Sequence, residues 1–140
     1  MSSTRVSRIR AALRVVLGVA MVGVGVLHFV QPEPFVRIMP TWLPAPLMLV
    51  WVSGLFEILG GVGLFVPRTR RFAGLGLCAL YVAVFPANVN MAVNHLTLDG
   101  VTPVPTAVLW GRLPLQAVLI ALAWWVSRDE GGTRERDPQR

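Results

Sequence analysis

The stretch LVWVSGLFEILGGVGLFV, residues 49–66, carries one ionisable side chain, Glu57, among apolar and small residues. Its length approaches the roughly 20 residues that cross a bilayer core. A carboxylate inside such a span costs at least about a few kcal/mol. The fold turns on whether this is a membrane span or a buried helix of a water-soluble core. The rest of the chain decides between them. Of its 140 residues 54% are hydrophobic and 14% charged, against roughly 25% charged in a soluble domain. The charges gather at the two termini and in one central loop, so no apolar run has the charged outer face of a soluble helix. The composition predicts an integral membrane protein.

Four runs are long enough to span: 11–30, 47–66, 72–93 and 106–126. The first follows a basic stretch, but its apolar region is too long for a signal peptide and no small-x-small site follows it. It reads as a retained anchor. Orientation follows the arginines. Arg5, Arg8, Arg10 and Arg14 precede or open the first run, and Arg68, Arg70 and Arg71 fill the loop after the second. Arg128, Arg134, Arg136 and Arg140 follow the fourth, leaving Arg37 and Arg112 for the other side. The expected fold is therefore all-α: a polytopic four-helix transmembrane bundle over 11–126 in the cell membrane, with both termini cytoplasmic. A basic cytoplasmic segment, 1–10, precedes it, and a disordered cytoplasmic tail, 127–140, follows.

The two outer connections differ. QPEPFVRIMPTWLPAP, residues 31–46, is too rich in proline for a continuous helix. Phe35, Ile38, Met39, Trp42 and Leu43 give it an apolar side, with Trp42 as an interfacial anchor, and Glu33 and Arg37 form a solvated local pair. NHLTLDGVTPVPTA, residues 94–107, is polar and broken by Asp99–Gly100, Pro103 and Pro105. The net charge of +6 does not predict nucleic-acid binding, because the arginines flank apolar runs without interleaved aromatics. Cys78 is the single cysteine, which excludes an internal disulfide or CxxC pair. No metal-ligand cluster, catalytic triad or phosphate loop is present.

The polar residues inside the spans fall in the outer half. At 1.5 Å per residue Glu57 lies about 15 Å deep, with Gln116 near the same level. Asn88 and Arg112 lie roughly 5–9 Å below the outer ends of their helices, and His28 sits near the outer end of the first. Arg14 is within snorkelling distance of the inner interface. Gly54 and Gly61 share the face of Glu57, and Gly18 and Gly25 share that of His28, so close helix packing is expected on both. Glu57, Arg112, Gln116, His28 and Asn88 are the candidates for ligand binding or proton handling. Each also has a structural reading. Glu57 would bond a neighbouring helix or pair with Arg112; Arg112 would snorkel; His28 would be an ordinary interfacial histidine; and Asn88 would satisfy backbone freed by Pro86.

Taken in order, HFVQPEPFVRIMP (28–40), SGLFEILGGVGLFVP (53–67), FPANVNMA (85–92) and WGRLPLQ (110–116) resemble the DoxX-like family of small bacterial and archaeal membrane proteins. The resemblance covers about 11–126. It implies a four-helix bundle with cytoplasmic termini in a bacterial membrane, and it matches His28, Pro34, Glu57, Gly60, Gly61, Pro86, Asn88 and Arg112. The family is named after a subunit of an archaeal thiosulfate:quinone oxidoreductase, and some bacterial members accompany redox and oxidative-stress complexes. The helix arrangement is also similar to that of vitamin K epoxide reductase-type enzymes. Those act through paired cysteines, and with Cys78 alone this chain lacks that chemistry.

Three functions remain open. One is an accessory subunit of a redox system, without catalytic activity of its own, that binds a quinone-like or other small apolar ligand in an outer cavity around Glu57. Quinone reduction consumes protons, and a buried carboxyl can deliver one. Its partners would be membrane or soluble redox proteins, or further copies of itself. The second is a scaffold or assembly factor in which the polar residues serve the bundle. The third is a small transporter using Glu57 as a proton or cation site, for which four helices are few.

Overall fold

The computed structural model describes residues 3–128. It contains α1 (Ser3–Val30), α2 (Glu33–Arg37), α3 (Pro46–Phe65), α4 (Arg70–Val93) and α5 (Thr106–Ser127). Four of these, all but α2, are long and apolar enough to cross a membrane. The last three keep close to the expected limits, whereas α1 starts well before residue 11. Arg and Ala are good helix formers, and nothing in TRVSRIRAALR interrupts the backbone. Apolarity marks how much of a helix can sit in lipid, not where the helix begins. Ser127 closes α5 and Arg128 follows it; the remainder of the tail predicted to be disordered lies outside the described residues.

In the bundle α1 packs on α3, α3 on α4 and α4 on α5, and a lighter contact between α1 and α5 closes the ring. The α1–α3 seam is held close by two pairs of glycines. A Cβ on Gly25 would stand 2.7 Å from the Gly54 carbonyl oxygen, and one on Gly61 would stand 2.7 Å from that of Gly18. Such backbone approach is how small residues join apolar helices that gain nothing from excluding water. On the α4–α5 seam a Cβ on Gly74 would collide with Ser127.

Leu17, Met21, Leu64, Leu77, Tyr81, Ala123 and Val126 form one core cluster, and Ile38, Ala87, Met91, Ala92 and Leu109 form another. The outward faces are apolar too, as at Val16, Val19, Phe72, Val82 and Val118. Apolar surface this continuous marks a membrane or protein contact, and it is consistent with residence in a lipid bilayer.

Two arginines cap carbonyls that a helix cannot satisfy in its own last turn. Arg14 Nε donates to the Val126 oxygen over 2.8 Å, and Arg70 Nε to that of Leu64 over 3.1 Å. Arg14 was expected to lie within snorkelling distance of the inner interface. The free carbonyl at the end of α5 gives its guanidinium a nearer partner.

The Pro-rich connection contains a helix after all. Pro32 is the N-cap of α2 and Pro34 lies in its first turn, where a missing N–H costs nothing. Ile38 is buried, and its carbonyl accepts from Asn90 Nδ2 at 2.9 Å. Arg37 is not the local partner of Glu33: its Nη1 donates to the Leu98 oxygen at 3.0 Å, tying α2 to the α4–α5 connection. In that connection Asp99 Oδ1 accepts from the amides of Val101 and Thr102, both at 3.1 Å. These amides and, first, the Thr102 side chain hold the Asp99 carboxyl well below the usual carboxylate range. A depressed carboxyl contributes its stability at neutral pH and loses it progressively as the pH falls below the ordinary carboxylate range.

Ala45, the N-cap of α3, has φ 47 and ψ 57, a left-handed conformation that Ala adopts at a cost. Ala45→Gly relieves it, while the more flexible unfolded chain offsets part of the gain. The expected result is stabilisation of roughly 0.5 kcal/mol, read from thermal unfolding in detergent. Destabilisation would mean that the Ala45 methyl makes a contact worth more than the strain.

Candidate functional site

His28 and Glu57 come together where α1 crosses α3, one turn from the Gly25–Gly54 contact. Both are buried, at 6% and 9% exposure. The glycines fix this: a Cβ on Gly54 would stand 2.6 Å from His28 Cβ, and one on Gly25 3.1 Å from Glu57 Cβ. Side chains of larger residues there would hold the two helices too far apart for the pair to meet.

His28 Nδ1 lies 2.8 Å from the Val24 carbonyl oxygen and 3.1 Å from Glu57 Oε2. A carbonyl can only accept, so the Val24 contact requires the proton on Nδ1 and uses it. Glu57 Oε2 therefore touches the nitrogen but accepts no aligned hydrogen bond, and it is buried without a hydrogen-bond partner. Phe35 of α2 covers the imidazole, its ring stacked at 3.7 Å between centroids and 21° between planes. The sequence placed Phe35 only on the apolar side of a loop. Its stacking on His28 depends on α2 folding, which proline content argued against.

The other candidates form a second group. Asn88 Nδ2 donates to Gln116 Oε1 at 2.8 Å, and Gln116 Nε2 donates to the Tyr81 carbonyl. Pro86 lies inside α4; its ring removes one helical N–H and crowds the preceding turn, which opens carbonyls there to an outside donor. Asn88 was expected to serve that backbone. It donates instead to Gln116 on the adjacent helix, whose own amide meets the Tyr81 carbonyl, five residues before the proline. Asn88 lies two residues past Pro86, whereas the carbonyl that the proline frees lies four residues before it.

Arg112 is half-buried and donates from Nη1 to Met91 Sδ at 3.1 Å. Among the described residues it has no ion pair with Glu57. The Tyr81 hydroxyl likewise donates to Met21 Sδ at 3.1 Å, a link across the bundle that no sequence spacing indicated. Two surface grooves stand out among the described residues, one lined from α4 and α5 and the other beside α2. Glu57 and Arg112 thus belong to two separate side-chain groups, one on the α1–α3 seam and one on the α4–α5 seam. The larger groove, about 480 Å³, runs past α2 and is lined by Pro32, Glu33, Val36, Arg37, Leu47 and Trp51.

Fold and site define an all-helical protein with four membrane-length helices and a buried His–Glu pair at a glycine seam. The chain belongs to the family described as Domain of unknown function (DUF8561), whose profile matches residues 17–127. No curated protein and no solved structure matched the chain.

Proposed function

We propose that the chain is a membrane-spanning accessory subunit, with both termini cytoplasmic, that binds a flat, oxygen-bearing apolar molecule of the quinone type at the α2 end. The observation that carries the reading is the orphaned Glu57 Oε2 beside an imidazole already covered by a ring. A buried polar atom without a partner costs about 1–3 kcal/mol, and Phe35 has nothing to offer it. A ring bearing a carbonyl, exchanged for Phe35 over His28, accepts a hydrogen bond from the protonated Glu57 carboxyl. The groove beside α2 gives such a molecule an apolar approach with Trp51 on its wall. Arginine distribution supports the orientation, and the DoxX-like resemblance supports a redox setting and redox-protein partners.

A short-chain quinone titrated into the detergent-purified protein tests this, with occupancy of the groove read as the tryptophan quenching that a Trp51→Phe variant loses, since the chain has five tryptophans. Saturable quenching is expected. Phe35→Ala, which removes the competing ring, should tighten binding. Glu57→Leu should keep the folded yield and weaken binding about tenfold, the loss of one hydrogen bond. Absence of saturable quenching in the unaltered protein would sink the ligand reading.

In that event the scaffold reading stands. The observation in its favour is that Asn88, Gln116 and the Tyr81 carbonyl bond to one another between α4 and α5, joining the two helices.

A further inference from the structure

At the bundle end opposite α2, a groove of about 260 Å³ runs between the start of α4 and the end of α5. Its lining is Arg71 and Leu75 from α4, with Trp124, Ser127 and Arg128 from α5 and its cap. Arg71 and Leu75 are one turn apart on α4, so a cation stands at the mouth and an apolar side chain one turn deeper. The α5 wall repeats that order, with Arg128 outermost and its guanidinium 4.0 Å over the Trp124 ring. The Ser127 hydroxyl donates to the Trp124 carbonyl at 2.9 Å and is spent inside the helix. Two guanidinium groups on different helices are therefore the polar content of this groove. The acidic residues among those described, Glu33, Glu57 and Asp99, belong to α2, the middle of α3 and the α4–α5 connection, none of which lines it. Asp129 and Glu130, next in the chain, lie outside the described residues.

The surface running away from the mouth is apolar and open: Leu75 is 48%, Trp124 46% and Phe72 76% exposed. A free inorganic anion would use the arginines and leave that surface uncovered. A molecule with a phosphodiester head and hydrocarbon tails uses both. Guanidinium forks match phosphate oxygens in pairs, and basic pockets between membrane helices suit acidic lipid headgroups.

We propose that this groove binds the headgroup of an anionic phospholipid, with Arg71 and Arg128 holding the phosphate and an acyl chain lying along Leu75 and Trp124. The inference rests on the membrane-spanning reading and is independent of the quinone site.

The test uses the full-length protein in neutral detergent, with phosphatidylglycerol, phosphatidylcholine or inorganic phosphate added and retention read by native mass spectrometry. Phosphatidylglycerol is expected to remain bound in preference to phosphatidylcholine. Arg71→Gln and Arg128→Gln should each weaken it roughly fivefold, as for one basic side chain near an anionic surface. Arg68→Gln, outside the groove, should leave it unchanged. Equal retention of the two lipids overturns the proposal, as does an equal loss with Arg68→Gln, which would show only a diffuse charge effect. Thermal protection by inorganic phosphate equal to that by phosphatidylglycerol overturns the lipid as the source of the phosphate. An alkaline wash of phosphatidylcholine vesicles holding the protein separates this from the membrane reading. Protein that resists the wash yet shows no lipid preference fails on the groove alone, and protein that is stripped off fails on the membrane reading.

Discussion

Gly54→Val is expected to destabilise the bundle by at least about 3 kcal/mol, the upper part of the range for overpacking. The new Cβ would stand 2.6 Å from His28 Cβ and 2.9 Å from the Gly25 carbonyl oxygen. Neither can retreat easily: one is the root of a side chain packed between helices, and the other is backbone. The two helices must separate, which also breaks the His28–Glu57 contact. Gly25→Val meets the Gly54 carbonyl at 2.7 Å and should behave alike. Gly23 and Gly76 are the controls, since a Cβ on either meets nothing within 4 Å. Their replacement by alanine should stabilise the helices slightly. Thermal unfolding in detergent, followed by loss of the monodisperse chromatographic peak, compares the four. If Gly54→Val unfolds with the controls, close backbone approach is not what joins α1 to α3.

Gln116→Leu is the second large effect. Gln116 is 4% exposed and serves two partners, accepting from Asn88 and donating to the Tyr81 carbonyl. In water-soluble cores a buried group left unsatisfied costs about 1–3 kcal/mol. Between membrane helices a side-chain hydrogen bond averages nearer 0.6 kcal/mol, because the separated helices find other partners. The expected loss is therefore about 1–2 kcal/mol. The sharper expectation concerns coupling. Once Gln116 is leucine, Asn88→Ala should cost almost nothing further, since the two belong to one network. Additive losses would show that Asn88 has a separate role.

The four long apolar helices were legible because they are statements about length and apolarity, which the sequence carries directly. The seam glycines were legible for the same kind of reason: Gly18, Gly25, Gly54 and Gly61 repeat at helical spacing beside a polar residue. Pairing was harder. Depth placed Glu57, Arg112, Gln116 and Asn88 in the same half, but depth along a helix does not say which helix is the neighbour. The structure divides them between seams, with Glu57 facing α1 and Gln116 facing α4. Arg112 illustrates a further limit. Its partner is the Met91 sulfur, a weak acceptor that charge pairing rules do not consider. No continuous helix crosses the Pro-rich segment, as expected, but the five-residue α2 was missed because proline was counted without its position, and the stacking of Phe35 on His28 was hidden with it.

The capping of α5 by Arg14 bears on how the chain is assembled. Arg14 and its acceptor, the Val126 carbonyl, are 112 residues apart, so this closure must wait for all of α5 to emerge. The α1–α3 and α4–α5 seams join helices closer in sequence and carry lower closure entropy. Two helical hairpins forming in succession, then docking edge to edge, is the order expected from such spacing. The α1–α5 edge is then the last to shut and the first to part. A partner inserted during biogenesis, or a second copy of the chain, would meet the least resistance there.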